Sequence, residues 1–421
     1  MENKSCLAEG LVVSTDMGKT GINANELIVG STGCGKTTSI CCPRMLHTYT
    51  ESIICPISKA AIRDEYSPLF EERGYKIMDI DFAHPEKSEV GYDPLHYVKR
   101  EEDVMQLAEV IISGSGEDNR NRGEKYWEDS GSSVIAALIH LEIQNAKSEN
   151  RRPSLQNVKK INDAMKQTKE GNSLDVLFEK AEREEPGCPA YRCWRVLDDL
   201  AERTYSCVMS IVNAAINTLI SNNVIAMCDK DKMLDIEKIG KEKTVLFIQT
   251  SPMVESLKTY VNILYYDVFR ILFEEAESND NSRLDVPVHV ICDDFACGSR
   301  IEGFHRYISI FRAAGISVTL LLQSESQLVS MYGENAAQTI IDNCDTYVYM
   351  GGNDVNTCQN VALRANKQTN TILDMPLEQV IVFRRGSKPY VGRRYQTYND
   401  PIYKDLVRMN EKIKDKSMLS L

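Results

Sequence analysis

The 421 residues suffice for two or three domains, or for one large domain carrying an insertion. A composition of 43% hydrophobic and 26% charged residues, with no low-complexity tract, is that of a globular chain with a sizeable core. The formal net charge of -12 excludes a protein that coats duplex DNA with a broad basic face, although it leaves room for a local basic lining.

The opening MENKSCLAEG is polar and does not read as a signal peptide. The longest apolar runs, Val134 to Leu141 and Ile316 to Leu322, fall far short of the ~20 residues that span a bilayer. Thirteen cysteines are scattered along the chain without the C-x2-C spacing of a zinc site, and they read as reduced, buried thiols.

In chain order, the first clear strand is Glu26 to Val29, which runs into Gly30-Ser-Thr-Gly-Cys-Gly-Lys-Thr37. A helix is expected from Lys36, ended or kinked by Pro43. Buried strands follow at Ser52 to Cys55 and Tyr75 to Ile80. After about Gly114 the character changes. A polar, Gly-rich loop leads into helical periodicity from Tyr126 to roughly Asn222, with strand signals almost absent. Strands resume at Thr244 to Gln249, Pro287 to Cys292, Ser317 to Leu322, Thr346 to Met350 and Val380 to Phe383. A long helix is expected through Tyr260 to Phe273 and a shorter one over Phe304 to Ala314. The charged tail after Tyr403 reads as a surface helix or a frayed end. Strands alternating with helical segments predict an α/β fold with a mostly parallel sheet, interrupted by a helical insertion.

Gly30, Gly35, Lys36 and Thr37 satisfy G-x-x-x-x-G-K-[ST] at every specified position. Glycines let successive N–H groups curl around a phosphate, and the following helix points its positive end at the same anion. The binding loop is therefore Gly30, Ser31, Thr32, Gly33, Cys34, Gly35, Lys36, Thr37 and Thr38. Lys36 is expected on the β- and γ-phosphates of ATP, and the Thr37 hydroxyl on Mg²⁺.

A second chemical signal is Pro287-Val-His-Val-Ile-Cys-Asp-Asp294, an apolar strand ending in two carboxylates. A phosphate-loop site needs one acid for the metal and a neighbour for the attacking water, so Asp293 is assigned to Mg²⁺ and Asp294 to catalysis. Glutamate is usual at the second place, and Asp294 is one methylene shorter. Gln323 ends the next strand, where a polar side chain can touch the γ-phosphate. Arg312 lies in the helix between, placed to enter a neighbouring subunit's site. Taken alone, it reads as well as a solvated surface charge.

With these residues in hand the chain resembles the coupling proteins of type IV secretion and conjugation systems, relatives of FtsK- and HerA-type motor ATPases. The resemblance covers about Asn25 to Tyr403. Beyond the phosphate loop it is carried by Pro43, by Gly91-Tyr-Asp-Pro-Leu95, by Lys125-Tyr-Trp-Glu128 with Ala136 to Ile139, and by Ala314 to Ser324 with Gln327-Leu328 and Tyr332-Gly333. It implies a RecA-like domain in two parts, 1–118 and 223–421, with an all-α domain inserted at 119–222. It implies a hexameric ring that hydrolyses ATP, with Asp293 and Asp294 as the Walker B pair, Arg312 as arginine finger and Gln323 as the motif glutamine. The implied partners are DNA, single-stranded or bound without sequence preference, a relaxase or effector docked on the all-α domain, and components of the secretion channel. The implied place is cytoplasmic, at the inner face of the membrane.

Three departures stand out. Where the family has D-P-K-G-E this chain has Pro56-Ile-Ser-Lys-Ala-Ala61, keeping only Lys59, and so lacks an acid near the nucleotide. Asp294 replaces glutamate. The N-terminal membrane helices common in the family are not seen. Two alternatives stay open: a nucleotide-gated docking module with residual hydrolysis, and a related motor in DNA repair or defence. Candidate DNA contacts are Arg120-Asn-Arg122, and Lys388 with Arg393-Arg394, each of which reads equally as surface charge.

Overall fold

The computed structural model describes residues 2–57, 60–113, 122–165, 167–168, 171–198, 200–249, 255–296, 300–301 and 303–419. Lys59 and Arg120-Asn121 lie outside the described residues. Nine strands form one sheet: β1 (Glu26–Val29), β2 (Ser52–Ile57), β3 (Lys76–Asp81), β4 (Thr244–Gln249), β5 (Val288–Cys292), β6 (Ile316–Leu322), β7 (Thr346–Tyr349), β8 (Gln379–Arg384) and β9 (Tyr390–Arg393). Their spatial order is β9-β8-β7-β1-β6-β5-β2-β4-β3. From β7 to β3 every neighbouring pair is parallel, and β8 and β9 close one edge as an antiparallel ribbon.

The inner strands are largely apolar because both faces of the sheet are covered, as parallel sheets require. Side chains alternate between the faces. Leu27, Val29, Ile54, Leu320, Leu322 and Val290 join one core with the helical region and the Glu255–Ser278 and Phe304–Ala314 helices. Ile28, Ile53, Cys55, Leu321, Ile291 and Val348 point into a second core with the helix after the phosphate loop and the Ala60–Glu72 helix.

Between β3 and β4 the described chain is helical, from Glu101–Ser113 through Arg122–Ser148 to Ile236–Ile239, apart from the two-residue pairing of Gln167–Thr168 with Gly171–Asn172. Gly91-Tyr-Asp-Pro-Leu95 joins this region to the sheet. The Tyr92 hydroxyl donates to buried Asp267 at 2.6 Å, and Asp93 accepts from the Leu95 and Leu155 N–H groups at 3.0 Å each. Burial raises the Asp267 pKa to about 6, against the pull of Arg270 and the Tyr92 hydrogen bond. No single helix among the described residues is long and apolar enough to cross a membrane; Glu202–Leu219 and Asn222–Cys228 pass such a test only as a pair bent by 70°.

Two features escape the sequence reading. A short antiparallel hairpin, Lys4–Ala8 with Leu11–Ser14, opens the chain and buries Cys6, Leu7 and Ala8. The helix after the phosphate loop begins as a π-turn, Thr37–Cys41, and becomes α-helical only over Cys42–Leu46. Pro43 explains the widening. Its ring would crowd the carbonyl four residues back, and the Cys42 N–H reaches five back to Thr37 instead.

Beyond β9 the chain does not leave the body. Residues 394–400 run along the phosphate-loop helix, with the Thr397 hydroxyl donating to the Thr38 carbonyl at one end and Asp400 paired with His47 at 2.8 Å at the other. Asp400 also accepts from the Tyr395 hydroxyl at 2.6 Å and the Ile402 N–H at 2.8 Å. The tail then continues as the Pro401–Leu419 helix, tied to the Ala60–Glu72 helix by Tyr403 and Asn410 through Glu65.

Burial works to raise the Asp400 pKa, but the bonds from His47, Tyr395 and the Ile402 N–H outweigh it and bring the value from 3.8 to about 2. The carboxyl is only 1% exposed. A depressed carboxylate stabilises the fold above its ordinary value and loses that contribution as pH falls through its folded one. We expect Asp400→Asn to cost about 2 kcal/mol in urea unfolding near neutrality. The difference from wild type should shrink as pH falls from 3.8 toward about 2.

Candidate nucleotide site

Parallel strands bring their C-terminal tips to one edge of the sheet, and the predicted residues lie there. The phosphate loop leaves β1, Gln323 leaves β6 beside it, and Asp293-Asp294 leave β5 beside β6. The acids therefore stand two strands from the loop, roughly 10 Å across the sheet. The loop is anchored on both sides. Gly30 N–H donates to the Leu322 carbonyl at 3.1 Å and Ser31 N–H to the Gly351 carbonyl at 2.9 Å.

Its glycines answer to different constraints. Gly33 and Gly35 have φ of +76° and +83°, a region costly to side-chain-bearing residues. At Gly30 the constraint is space, because a Cβ would lie 2.6 Å from Cys34 Sγ and 2.9 Å from Met350 Cβ. Lys36 Nζ lies on the loop, donating to the Gly30 carbonyl at 2.6 Å and the Ser31 carbonyl at 3.3 Å. Thr37 opens the helix partly exposed, and the Thr38 hydroxyl donates to the Gly35 carbonyl at 3.2 Å.

Asp293 is exposed to solvent just beyond the tip of β5. Desolvation and the Asp294 charge raise its pKa, whereas the Asp294 N–H, Lys36 and Lys258 oppose the rise. Lys36 and Asp293 thus share one electrostatic site. Asp294 is exposed with φ of +48°, an αL conformation that aspartate tolerates better than most residues, and its N–H donates to Asp293 Oδ1 at 3.0 Å. Gln323 is half-buried and accepts weakly from Gln327 Nε2 at 3.5 Å.

Arg312 is not brought to this edge. It lies exposed in the last turn of the Phe304–Ala314 helix, which returns the chain to the start of β6. The length of β6, roughly 20 Å, separates that end from Gln323. Any role at a nucleotide must be played in another subunit. Lys388 and Arg393 also part company, since they lie at opposite ends of β9, and Arg394 falls beside Gly35 of the phosphate loop.

Sequence reasoning passed over Lys258, on the helix that follows β4, because a lysine in a helical stretch carries no local signature. It also passed over Met350-Gly351, which wall the loop from the tip of β7.

The model of the family described as "Type IV secretory system Conjugative DNA transfer" matches residues 2–370. The chain belongs to this family. The type IV secretion system-coupling protein VirD4 of Bartonella henselae is 20% identical over 386 residues, covering 90% of this chain and 58% of the relative. The chain thus spans little more than half the length of that curated relative. Among solved structures, the bacterial conjugative coupling protein TrwBdeltaN70 in complex with sulphate superposes with a TM-score of 0.64 at 15% identity, covering 90% of this chain and 88% of the other. Plasmid coupling protein TrwB in complex with ADP and Mg²⁺ gives 0.60 at 14% identity, covering 88% and 85%. VirB4 of Thermoanaerobacter pseudethanolicus gives 0.53 at 12%, covering 96% and 98%. The fold of this family member is α/β and RecA-like, with helices inserted in the connection between β3 and β4.

Gly30→Ala tests the loop geometry directly. With a methyl group forced against Cys34 and Met350, affinity for a fluorescent ADP should fall roughly tenfold or more while the thermal midpoint moves little, because the clash is confined to the loop.

Proposed function

We propose that this chain binds ATP with Mg²⁺ on the Gly30–Thr38 loop and hydrolyses it to drive or gate transfer of DNA, or relaxase-bound DNA, to a conjugation or secretion channel. One observation carries the reading: the Gly30–Thr38 loop, Gln323 and the Asp293-Asp294 pair leave the neighbouring strands β1, β6 and β5 at the same edge of the sheet. A lysine, a hydroxyl and a carboxylate pair near a glycine loop are the donor set that a magnesium nucleotide requires. TrwB, with the same fold, has been captured with ADP and Mg²⁺.

In this reading the N–H groups of Gly30 to Thr38 hold phosphate oxygens and Lys36 offsets their charge. Thr37 and Asp293 hold the metal, which supplies charge neutralisation at the transferring phosphoryl group. A cation beside Asp293 also favours its ionised form, reversing the desolvation that raises its pKa. Asp294 orients water and accepts its proton. Gln323, at the tip between loop and acids, contacts the γ-phosphate end. Arg312, on the far edge, completes the site of the next subunit in a hexamer. The all-α domain, at 119–222, receives relaxase or effector. The chain works on the cytoplasmic side, at the inner face of the membrane.

A second reading, a nucleotide-gated docking module, is favoured by one feature. Asp294 is one methylene short of the usual glutamate and has φ of +48°, and this reading expects slow hydrolysis. Phosphate release measured with and without single- and double-stranded DNA, at several protein concentrations, separates the two. The motor reading expects turnover that rises with DNA and with protein concentration, and that Lys36→Ala lowers by roughly two orders of magnitude. Unchanged turnover in that variant removes the enzyme, and tight nucleotide binding with no DNA-stimulated turnover leaves the docking module.

A further inference from the structure

The phosphate loop has a second cation beside it, and it comes from the other end of the chain. Because β8 and β9 each reverse direction, β9 runs in the same sense as β1, and its C-terminal tip reaches the nucleotide edge. The backbone turns there: Glu9 N–H donates to the Arg393 carbonyl at 2.9 Å, and Arg394 N–H to the Glu378 carbonyl at 2.8 Å. The next residues lie on the phosphate-loop helix, held by Thr397 on the Thr38 carbonyl and Asp400 on His47. Fixed at both ends, this strap delivers the Arg394 guanidinium to the loop. Nη1 lies 3.5 Å from the place a Gly35 Cβ would occupy.

Nothing in the fold accounts for an arginine at that point. Its Nε is buried without a hydrogen-bond partner, and among the described residues no carboxylate pairs with it. Arg44 and Arg270 share the orphaned Nε but each faces a carboxylate, Glu51 at 2.6 Å and Asp267 at 3.1 Å; Arg384 shares it too, and it is the place of Arg394 beside the phosphate loop that sets it apart. A half-buried guanidinium with unspent donors, set against a glycine whose N–H groups form an anion cradle, matches the charge and planar fork of a phosphate group. Arg394 also lies beyond the residues that the family model matches.

We propose that Arg394 is a phosphate-binding residue acting within its own subunit, and that the strap 394–400 forms one wall of the nucleotide pocket. The proposal rests on the reading of Gly30–Thr38 as a nucleotide loop. It assigns to Arg394 the phosphate oxygens of a nucleoside di- or triphosphate, not the base and not DNA.

The test uses the full chain and four proteins: wild type, Arg394→Ala, Arg394→Lys and Arg393→Ala. Affinity for a fluorescent ADP is read by titration, its displacement by inorganic pyrophosphate is read alongside, and binding of a labelled single-stranded oligonucleotide is read by anisotropy without nucleotide. Arg394→Ala should weaken ADP binding roughly tenfold or more and raise the pyrophosphate needed to displace it from what remains relative to its ADP affinity. Arg394→Lys should restore part of the loss, since it keeps the charge and loses the fork, and Arg393→Ala should match wild type. Oligonucleotide binding should be the same in wild type and Arg394→Ala. An ADP affinity within twofold of wild type in Arg394→Ala overturns the proposal, and a selective loss of oligonucleotide binding reassigns the residue to DNA. Equal losses in Arg394→Ala and Arg394→Lys, with a lowered thermal midpoint in both, show a structural residue and also overturn it. Failure of wild type to bind ADP at all sinks the nucleotide loop itself, an outcome distinct from each of these.

Discussion

The arrangement that everything else serves is a lysine-bearing loop and a carboxylate pair set on either side of the tip of a single strand. Neither Lys36 nor Asp293 is local to the other in sequence, and no hydrogen bond joins them. They meet because β6 is inserted between β1 and β5, so that the strand bearing the loop and the strand bearing the acids end at the same edge on either side of Gln323. Exchanging the positions of β5 and β4 would carry Asp293 one strand beyond β2, and the charge of Lys36 would be spent on solvent. The parallel sheet is costly to assemble, since each of its pairings joins distant segments. Its return is that every tip arrives on the same side, where one anion can be contacted from β1, β5, β6 and β7 at once.

Much of this was legible in the sequence, and the reason is burial. A strand covered on both faces is written as a mostly apolar run, and eight such runs, from Glu26–Val29 to Gln379–Arg384, are recognisable without reference to the rest of the chain. The phosphate loop announces itself because its glycines are demanded by φ at Gly33 and Gly35 and by lack of space at Gly30, constraints no other residue satisfies. What could not be read has the opposite character. The Lys4–Ser14 hairpin is part polar, with one strand half-exposed, and β9 alternates exposed and half-buried residues; both take their form from the body they lie against. Lys258 and Arg394 carry no local pattern at all. Their importance is a matter of which atoms the topology sets beside them.

The edge ribbon shows how this works. β8 buries Val380, Ile381 and Val382 whereas β9 adds little to the core, and on composition alone the basic residues at 388, 393 and 394 read as one cluster. Antiparallel pairing separates them by the length of a strand and sends the last of them to the nucleotide side. The N-terminal hairpin then buttresses the turn, with Tyr390 donating to the Glu9 carbonyl at 2.7 Å and Glu9 N–H bonded to Arg393. Both termini are thereby committed to the phosphate-loop helix, the first through Lys4 N–H on the His47 carbonyl and the last through Asp400 on the His47 ring. A short helix that opens as a π-turn around Pro43 would be a poor platform by itself, and here two distant segments brace it.

Charge balance gives that bracing a purpose. With a net charge of -12 the chain repels polyanions at long range, so a site for a triphosphate must be built from local cations in surroundings that solvent cannot screen. Lys36 is one such charge, yet Asp293 and Asp294 stand at the same edge of the sheet and offset it; Lys258, close enough to act on Asp293, restores part of the balance. Against the roughly four negative charges of a nucleoside triphosphate, a magnesium ion and these two lysines still leave an excess once both aspartates are ionised. A third cation at Gly35, fixed by the strap and without a carboxylate partner among the described residues, reduces that excess without lengthening the loop. On the proposed role of Arg394, nucleotide occupancy is also tied to the position of the C-terminal segment, since movement of residues 394–400 relative to the helix would withdraw the guanidinium.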